Sequence, residues 1–269
     1  MTDLETRLDE ILAGMGSTVV ALSGGVDSSY LAARAHRVLG DRALAVTADS
    51  ESLAEEQRRT ASELVRRLGI PHRFVRTGEL ADERYRRNDA DRCYYCKAEL
   101  FRQLGSLAAR EGYACVAYGL ILDDLGERRP GRRAAEEAGA RTPLVEAGMT
   151  KADVRAASRL MGLPTWDMPA SPCLASRLPA GTPVTPEALR RVDRAETALR
   201  DLGFRELRVR HFDRTGRVEI APAELERLAD PELREAAMAG VRRAGYELAV
   251  IDPAGYRRGR LSEEDDASG

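Results

Sequence analysis

The sequence predicts an α/β protein in which a domain with a parallel sheet is followed by a smaller α+β domain. Short apolar runs alternate with helical patterns in the first half of the chain, which indicates right-handed crossovers and a sheet covered on both faces. These runs are 18–22, 43–47, 72–75 and 115–119. After Pro179 and Gly181 the pattern changes to a helix, two strands, further helices and a last strand. A chain of 269 residues with 43% hydrophobic content can bury two cores of this kind.

Local signals place the elements between these strands. Residues 1–16 form an amphipathic helix, and Ser52, with Glu55 three positions later, caps a helix over 52–68. A polar loop over 77–91 leads into the segment 91–97, and a helix follows over 98–109. Residues 142–145 are predicted as a short fifth strand, and a helix over 151–161 is capped by Thr150.

The second domain follows from the same signals. Its predicted helices are 186–202 and two that begin at Pro222 and Pro231; its predicted strands are 206–211, 217–220 and 247–251. We therefore expect a first domain over 1–178 and a small α+β domain over 179–257, followed by a disordered acidic tail over 258–269.

Composition narrows the function classes. The formal net charge is −2 and the isoelectric point about 6.1, which argues against affinity that depends on neutralising nucleic-acid phosphates and favours a small substrate. The amino terminus has no basic segment followed by an apolar core, and no apolar run is long enough to span a bilayer. We therefore expect a cytoplasmic protein with no membrane partner and no nucleic-acid partner.

The four cysteines are interpreted as thiols rather than as a disulfide framework. Cys115 falls in a predicted strand and is expected to be a small core residue. Cys93 and Cys96 form a single Cys-x-x-Cys with no His paired to it, so a four-ligand zinc site is not expected. Together with Cys173 they could hold an iron–sulfur cluster or form a redox pair, or the segment could be purely structural.

The most informative stretch is the turn between the first strand and the next helix. Two glycines permit backbone angles that other residues avoid, and three serine hydroxyls and the first N–H groups of the helix add hydrogen-bond donors. This is an anion site at a helix start, although a serine-capped turn is the alternative. The pattern is neither Gly-x-x-x-x-Gly-Lys-Ser/Thr nor Gly-x-Gly-x-x-Gly.

Ser-Gly-Gly-Val-Asp-Ser resembles the pyrophosphate loop of the ATP pyrophosphatase (PP-loop) superfamily, whose members split ATP into AMP and pyrophosphate. The resemblance implies an adenine nucleotide alpha hydrolase-like (HUP/PP-loop) fold for the first domain. It also implies ATP as a ligand of the loop, with Mg²⁺ at Asp27. The loop residues are Ser23, Gly24, Gly25, Val26, Asp27, Ser28 and Ser29, and we call this segment the pyrophosphate loop.

A second unusual stretch surrounds Cys173. Prolines and small residues over 166–177 favour neither helix nor strand, so this cysteine loop is expected to be a fixed irregular segment that presents its thiol. Pro-Cys-Leu-Ala-Ser-Arg resembles the cysteine loop of the LarE-type ATP-dependent sacrificial sulfur transferases. The resemblance extends along most of the chain in the same order, through the segments RCYYCK, DDLGERRPG, RVR, RVE and GYRRG.

This resemblance implies a reaction and a substrate. ATP adenylylates a carboxylate of pyridinium-3,5-biscarboxylic acid mononucleotide, the Cys173 thiolate attacks, and the cysteine becomes dehydroalanine as the thiocarboxylate leaves. The product serves the nickel-pincer cofactor of lactate racemase. By motif match, the substrate phosphate and an acidic cluster are assigned to Glu196, Arg208, Glu219 and Arg257. We also expect a homo-oligomer, with the small domain as a plausible assembly surface.

Other interpretations of the same residues stay open. A PP-loop amidotransferase or synthetase, like those that make GMP or NAD, leaves Cys173 without a role. A tRNA thiolase shares the loop, but the sequence has no basic RNA-binding module. A degenerate nucleotide-binding regulator is the non-enzymatic alternative. Cys93 and Cys96 also leave open a variant that recycles sulfur instead of spending Cys173.

Overall fold

The structure, a computed structural model, describes residues 2–126 and 130–257. The chain divides into two compact units. The first unit comprises Met1–Glu79 and Cys93–Ser171, and the second comprises Leu80–Arg92 and Pro172–Gly269. The predicted tail at 258–269 lies outside the described residues.

The first unit contains a four-stranded sheet in which all neighbouring strands are parallel. The strand order is β3-β2-β1-β4. The strands are β1 (Thr18–Ala21), β2 (Ala43–Asp49), β3 (His72–Arg76) and β4 (Cys115–Tyr118). On the central strand, Thr18 is in register with Ala43 on one side and with Cys115 on the other. The predicted parallel sheet and its α/β class are confirmed.

Helices enclose this sheet on both faces, as its sequence pattern indicates. They are α1 (Asp3–Gly14), α2 (Val26–Leu39), α3 (Glu55–Leu68), α5 (Arg92–Glu111), α6 (Pro130–Glu137), α7 (Pro143–Ala147) and α8 (Lys151–Leu160). Successive residues of a strand point to opposite faces. Val20 accordingly joins a core cluster with residues of α1, α2 and α8, whereas Val19 joins a second cluster with residues of α5.

The predicted fifth strand is wrong. Pro143 begins the short helix α7 instead, and Thr142 is its N-cap residue. Proline suits the first position of a helix because its φ is preset and the N–H that it lacks has no intrahelical acceptor there. Strand-like pairing next to this helix is limited, within the described ranges, to an isolated bridge between Arg141 and Ala117.

Two predicted helix starts also differ from the structure. Helix α3 begins at Glu55, its N-cap is Ala54, and Ser52 does not cap it. Helix α5 begins at Arg92 rather than at 98, so both cysteines of the Cys-x-x-Cys pair lie in its first turns. The predicted cap at Thr150 is confirmed, because its hydroxyl accepts from the backbone N–H of Asp153.

The second unit is built on a three-stranded sheet of order β5-β6-β7, in which β5 and β6 are antiparallel and β6 and β7 parallel. Its elements are α4 (Glu83–Arg86), α9 (Pro186–Asp201), β5 (Leu207–Phe212), β6 (Thr215–Ile220), α10 (Pro222–Leu225), α11 (Pro231–Arg243) and β7 (Leu248–Ile251). Its core joins α9 and α11 to the sheet through Leu199, Val209, Val218 and Val241.

In the part of the chain that the structure describes, no helix is both long and apolar enough to cross a membrane.

Candidate functional site

The predicted pyrophosphate loop connects β1 to the start of α2. Gly24 has a φ of +77°, and a Cβ there would lie 2.7 Å from the backbone oxygen of Gln57 on α3. Only glycine combines that backbone angle with so close an approach. Gly25 is the N-cap of α2, so the first N–H groups of the helix, which lack intrahelical acceptors, are available to an anion.

Serine hydroxyls hold the loop in this shape. The Ser28 hydroxyl donates to the carbonyl oxygen of Gly25 at 3.1 Å and accepts from the backbone N–H of Ser23 at 3.1 Å. Its oxygen is also 3.1 Å from the Ser23 hydroxyl oxygen. Because Ser28 has a single hydroxyl proton, Ser23 must be the donor in that pair. The Ser29 hydroxyl is buried and has no hydrogen-bond partner among the described residues.

Sheet topology explains why this turn is a ligand site. The chain leaves β1 toward β2 on one side, while β4 lies on the other side of β1, so the strand order reverses there. Ligands of open parallel sheets bind at the carboxyl ends of the strands at such a reversal. Gly119 follows β4, and a Cβ there would lie 2.8 Å from the backbone nitrogen of Ser28. Sequence reasoning missed Gly119, whose only signal is a glycine directly after a strand.

Asp27, the predicted magnesium ligand, lies in the first turn of α2. Its Oδ2 is 2.5 Å from Nζ of Lys151, the first residue of α8. Its Oδ1 is buried and has no partner within the described ranges. Burial raises the pKa of Asp27 from its ordinary value, while the hydrogen bond and the charge of Lys151 oppose that rise. A magnesium ion held by one carboxylate and by substrate phosphates fits this arrangement.

The neighbouring acidic pair has structural partners. The Asp123 carboxylate accepts from the backbone N–H of Lys151 at 2.8 Å, and thereby holds the start of α8. The charge of Asp124 contributes to the raised pKa of Asp27. Over residues 2–126 and 130–257, no group of three or more His, Cys, Asp or Glu side chains is arranged to hold a metal ion.

The Cys-x-x-Cys segment packs through its tyrosine. The Tyr94 hydroxyl donates to Glu137 at 2.6 Å, and the Arg133 guanidinium lies 4.2 Å from the Tyr94 ring centroid, so α5 and α6 are joined there. Cys93 is exposed and Cys96 is partly buried. Both are thiols three positions apart on α5, which places them on one face of the helix.

The cysteine loop has no helix or strand before a short turn that begins at Leu174. In the first unit, the Arg155 guanidinium donates to the carbonyl oxygens of Trp166 at 2.9 Å and Met168 at 2.7 Å. The Gln57 amide donates to the carbonyl oxygen of Ser171 at 2.7 Å. Side-chain donors therefore fix a segment whose prolines cannot contribute to a hydrogen-bond ladder.

Cys173 lies in the second unit and its side chain is partly buried. Its carbonyl oxygen accepts two hydrogen bonds, one from the backbone N–H of Ser176 at 3.0 Å and one from Nη1 of Arg177 at 3.1 Å. Nη1 of Arg177 also donates to the carbonyl oxygen of Pro172 at 2.6 Å. Sequence reasoning did not single out Arg177, although it is the last residue of the motif Pro-Cys-Leu-Ala-Ser-Arg.

Glu196 on α9 orients this arginine. Nε and Nη2 of Arg177 donate to the two oxygens of Glu196 at 2.8 and 2.9 Å, and both side chains are fully buried. The backbone N–H of Val209 and the Arg200 guanidinium complete the hydrogen bonds of the carboxylate. Burial alone would raise the pKa of Glu196, but Arg177, followed by Arg208 and Arg200, lowers it to about 2.

Further arginines and carboxylates surround this pair in the second unit. We call the set the arginine–carboxylate cluster: Arg177, Glu196, Arg200, Arg208, Arg210, Arg217, Glu219 and Asp252. Five guanidinium groups face three carboxylates, so the cluster carries excess positive charge. Such an excess suits a phosphate, which arginine can bind through two hydrogen bonds.

The predicted substrate residues are partly brought together. Arg208 and Glu219 are in register on β5 and β6, and Glu196 lies close enough for its charge to act on Arg208. Burial, and then the charge of Arg177, lowers the pKa of Arg208 to about 10. The Arg208 guanidinium lies 4.8 Å from the ring centroid of Tyr256. Arg257, the next residue, is exposed.

Comparisons with known proteins place this geometry in context. A family model described as asparagine synthase matches residues 12–93, which include the glycine–serine turn. An uncharacterized protein of Synechocystis sp. is 40% identical over 262 residues, covering 96% of this chain and 98% of that protein.

A relative with a functional name covers nearly the whole chain. Pyridinium-3,5-bisthiocarboxylic acid mononucleotide synthase of Lactiplantibacillus plantarum is 34% identical over 267 residues, covering 98% of this chain and 96% of that protein. A glutamine-hydrolyzing GMP synthase chain of Methanocella arvoryzae is 46% identical over 56 residues, covering 19% of this chain and 18% of that protein.

Proposed function

Because this chain belongs to the LarE family of PP-loop proteins, we propose that it is an ATP-dependent sulfur transferase that donates the sulfur of its own Cys173. Three features support this proposal together. They are the anion site at the start of α2, a thiol on a segment held by side-chain donors, and similarity along almost the whole chain to a synthase of a thiocarboxylic acid.

The proposed substrate is pyridinium-3,5-biscarboxylic acid mononucleotide, the carboxylate counterpart of the product that the relative's name describes. The reaction then belongs to the biosynthesis of the nickel-pincer cofactor of lactate racemase. In the first half-reaction, a substrate carboxylate oxygen attacks the α-phosphorus of ATP. The bond between the α-phosphorus and the bridging oxygen breaks, and pyrophosphate leaves.

The residues present fit ATP and magnesium. The N–H groups at the start of α2 and the serines of the pyrophosphate loop bind the leaving pyrophosphate, and Gly24 lets the backbone turn tightly enough to do so. Asp27 is the proposed magnesium ligand, and bound magnesium supplies neutralisation of the phosphate charge. Lys151, which pairs with Asp27, adds a second positive charge beside the loop.

In the second half-reaction the Cys173 thiolate attacks the carbonyl carbon of the acyl adenylate, and AMP leaves as the carbon–oxygen bond breaks. The product is a thioester between substrate and protein. Loss of the Cα proton of Cys173 to a base then shifts the C–H electron pair into a Cα–Cβ double bond, and the Cβ–S bond breaks. The substrate departs as a thiocarboxylate, and dehydroalanine remains in the chain.

The arginine–carboxylate cluster is proposed to bind the substrate phosphate. Arg208 is the main candidate because it is buried, and its own strand supplies one acceptor, the carbonyl oxygen of Leu207 at 2.6 Å. Glu196 and Glu219 orient buried arginines through ion pairs at 2.8 and 2.9 Å. Their proposed contribution to substrate binding is therefore made through those arginines. Arg257 is proposed to contact the same phosphate from the exposed segment after Tyr256.

A recycling enzyme is the second candidate. Cys93 and Cys96 share one face of α5, and Cys93 is exposed, so the pair could carry a persulfide or contribute ligands to an iron–sulfur cluster. In that case Cys173 is restored after each turnover, and the protein keeps its mass through many cycles.

A pair of cysteine variants tests the proposed role of Cys173. We expect Cys173→Ser to catalyse exchange of radioactive pyrophosphate into ATP when the pyridinium dicarboxylate is present, but to form no thiocarboxylate. Cys115→Ser is the matched control, because that thiol lies in strand β4 and contacts the carbonyl oxygen of Ser17 at 3.6 Å. Thiocarboxylate formation by Cys173→Ser would favour a synthetase in which Cys173 has no role.

A further inference from the structure

The elimination step makes a specific demand on Cys173 that the proposed function leaves unassigned. When the Cα proton leaves, negative charge develops on the carbonyl oxygen of the same residue, because the carbanion is conjugated with that carbonyl as an enolate. An ordinary peptide Cα–H is a very weak acid. Elimination therefore requires donors that are aimed at this oxygen before the charge appears.

The structure provides two such donors. The backbone N–H of Ser176 and Nη1 of Arg177 lie 3.0 and 3.1 Å from the Cys173 oxygen. One donor is neutral and belongs to the short turn that begins at Leu174, while the other carries a full positive charge. Hydrogen bonds from a charged donor are about twice as strong as those between neutral groups.

The arginine is held so that it cannot turn away. Two of its nitrogens are engaged by the two oxygens of Glu196, and the guanidinium is fully buried. The remaining nitrogen, Nη1, faces the main chain of the cysteine loop and also contacts the Ser176 hydroxyl at 3.0 Å. An arginine held by two hydrogen bonds has little freedom left, so its third nitrogen is preorganised.

We propose that Arg177 and the Ser176 N–H form an oxyanion hole for the Cys173 carbonyl, and that Arg177 is the catalytic residue that promotes release of sulfur from the chain. This inference rests on the proposed function and adds a step to it. The Cα proton passes to water or to another base, and its electron pair forms the double bond through the enolate. The Cβ–S bond breaks, and the thiocarboxylate leaves with the sulfur electron pair.

A substrate-free experiment on the wild-type chain tests the oxyanion hole directly. Cyanylation of the thiols gives each cysteine a good leaving group, which mild base eliminates as thiocyanate to leave dehydroalanine. Peptide mass spectrometry then gives the elimination rate at each position. We expect Cys173 to eliminate about 10²-fold faster than Cys93, which is exposed on α5. Equal rates at the two positions would overturn the inference, whatever reaction the protein catalyses.

A variant separates this step from the rest of the reaction. Arg177→Lys keeps the charge but cannot hold both oxygens of Glu196 and the Cys173 carbonyl together. With ATP, magnesium and the pyridinium dicarboxylate, we expect AMP release to continue. We also expect the thioester adduct to accumulate, because elimination is slowed about 10²-fold. Arg191→Lys is the matched control, since Arg191 pairs with Glu187 on the solvent side of α9.

The outcomes distinguish the two levels of the account. If wild-type protein loses sulfur and folded Arg177→Lys does so at the same rate without an adduct, the oxyanion hole is wrong and the proposed function survives. If wild-type protein forms neither adduct nor dehydroalanine, the proposed function is wrong, and the cyanylation rates still decide the oxyanion hole. Should Arg177→Lys fail to fold, as circular dichroism would reveal, the wild-type cyanylation experiment again decides.

Discussion

At Gly24, a hydrogen atom in place of a methyl group lets the pyrophosphate loop close on α3. The residue has a left-handed φ, and the backbone oxygen of Gln57 occupies the position from which a Cβ would be excluded. Two separate costs therefore oppose any other residue there, namely the backbone angle and the collision with a main-chain atom that cannot rotate away.

A comparison of two glycine substitutions separates these costs. Gly16 has a φ of +70° and no atom within 4 Å of the position that a Cβ would take, so Gly16→Ala bears the cost of the angle alone. We expect Gly16→Ala to lower the free energy of unfolding by about 1 kcal/mol. Gly24→Ala should lower it by about 2–4 kcal/mol, because the backbone must also shift. Urea denaturation of the two variants measures the difference, and equal losses would show that the close approach is not a constraint.

Residues of the site differ in how visible they are in the sequence. The pyrophosphate loop and Cys173 stand in continuous motifs, so their positions could be predicted from local patterns. Arg177 and Gly119 could not be singled out in the same way. Their significance depends on Glu196 and on Ser28, respectively, and each of those contacts joins segments that are separate in sequence. The contact between Gln57 and Ser171 spans 114 positions.

At the scale of elements, helix α9 carries two arginine–glutamate pairs in contrasting surroundings. Glu196 is fully buried against Arg177, whereas Glu187 is exposed and pairs with Arg191 one turn along the same helix. A buried pair is costly to break because the remaining charge has no solvent to stabilise it. An exposed pair gains little, because water screens it.

Glutamine substitutions on α9 test this contrast. We expect Glu196→Gln to lower the free energy of unfolding at pH 7 by about 3–5 kcal/mol, since Arg177 loses its buried counter-charge. Glu187→Gln should change it by less than about 0.5 kcal/mol. The measurement is chemical denaturation of both variants beside the wild type. A loss at Glu196 no larger than that at Glu187 would contradict the assigned role of the buried pair.

The same pair gives a pH dependence with a definite sign. The folded-state pKa of Glu196, about 2, lies below its ordinary value of 4.5, so the unfolded chain binds the proton more tightly. The stabilisation by this carboxylate is therefore complete above pH 4.5 and is lost as the pH falls toward 2. The difference in unfolding free energy between wild type and Glu196→Gln should shrink over that interval.

The elements can be predicted well where periodicity or a cap is strong, as at Thr150, and poorly where a short segment is compatible with two structures. The run at 142–145 has the composition of a strand, yet its proline starts α7. The start of α5 escapes prediction because Cys93 and its aromatic neighbours form a chemical motif with no clear helical periodicity. Packing of Tyr94 against Glu137 and Arg133 favours the helix there.

At the scale of the whole molecule, the two units are not successive segments of the chain. Residues 80–92 group with the second unit, and they are held there by a bond of 2.7 Å from the Asn88 amide to the Pro179 oxygen and by one of 2.8 Å from the Val184 N–H to the Arg86 oxygen. A pattern that runs along the sequence cannot reveal such an exchange. The predicted limits at 178 and 257 and the predicted homo-oligomer stay predictions.

The proposed chemistry also sets a stoichiometry for the whole chain. One Cys173 supplies one sulfur atom, and the relative's product carries two thiocarboxylic acid groups. Two protein chains are therefore consumed for each molecule of such a product. A protein used in this way acts as a reagent, and its yield is limited by its own amount rather than by time.

The most direct measurement is the intact mass of the wild-type chain after incubation with ATP, magnesium and an excess of the pyridinium dicarboxylate. The account predicts loss of the mass of one hydrogen sulfide per chain, mapped by peptide analysis to Cys173, together with no more than one thiocarboxylate group formed per chain. An unchanged mass accompanied by many thiocarboxylate groups per chain would contradict it.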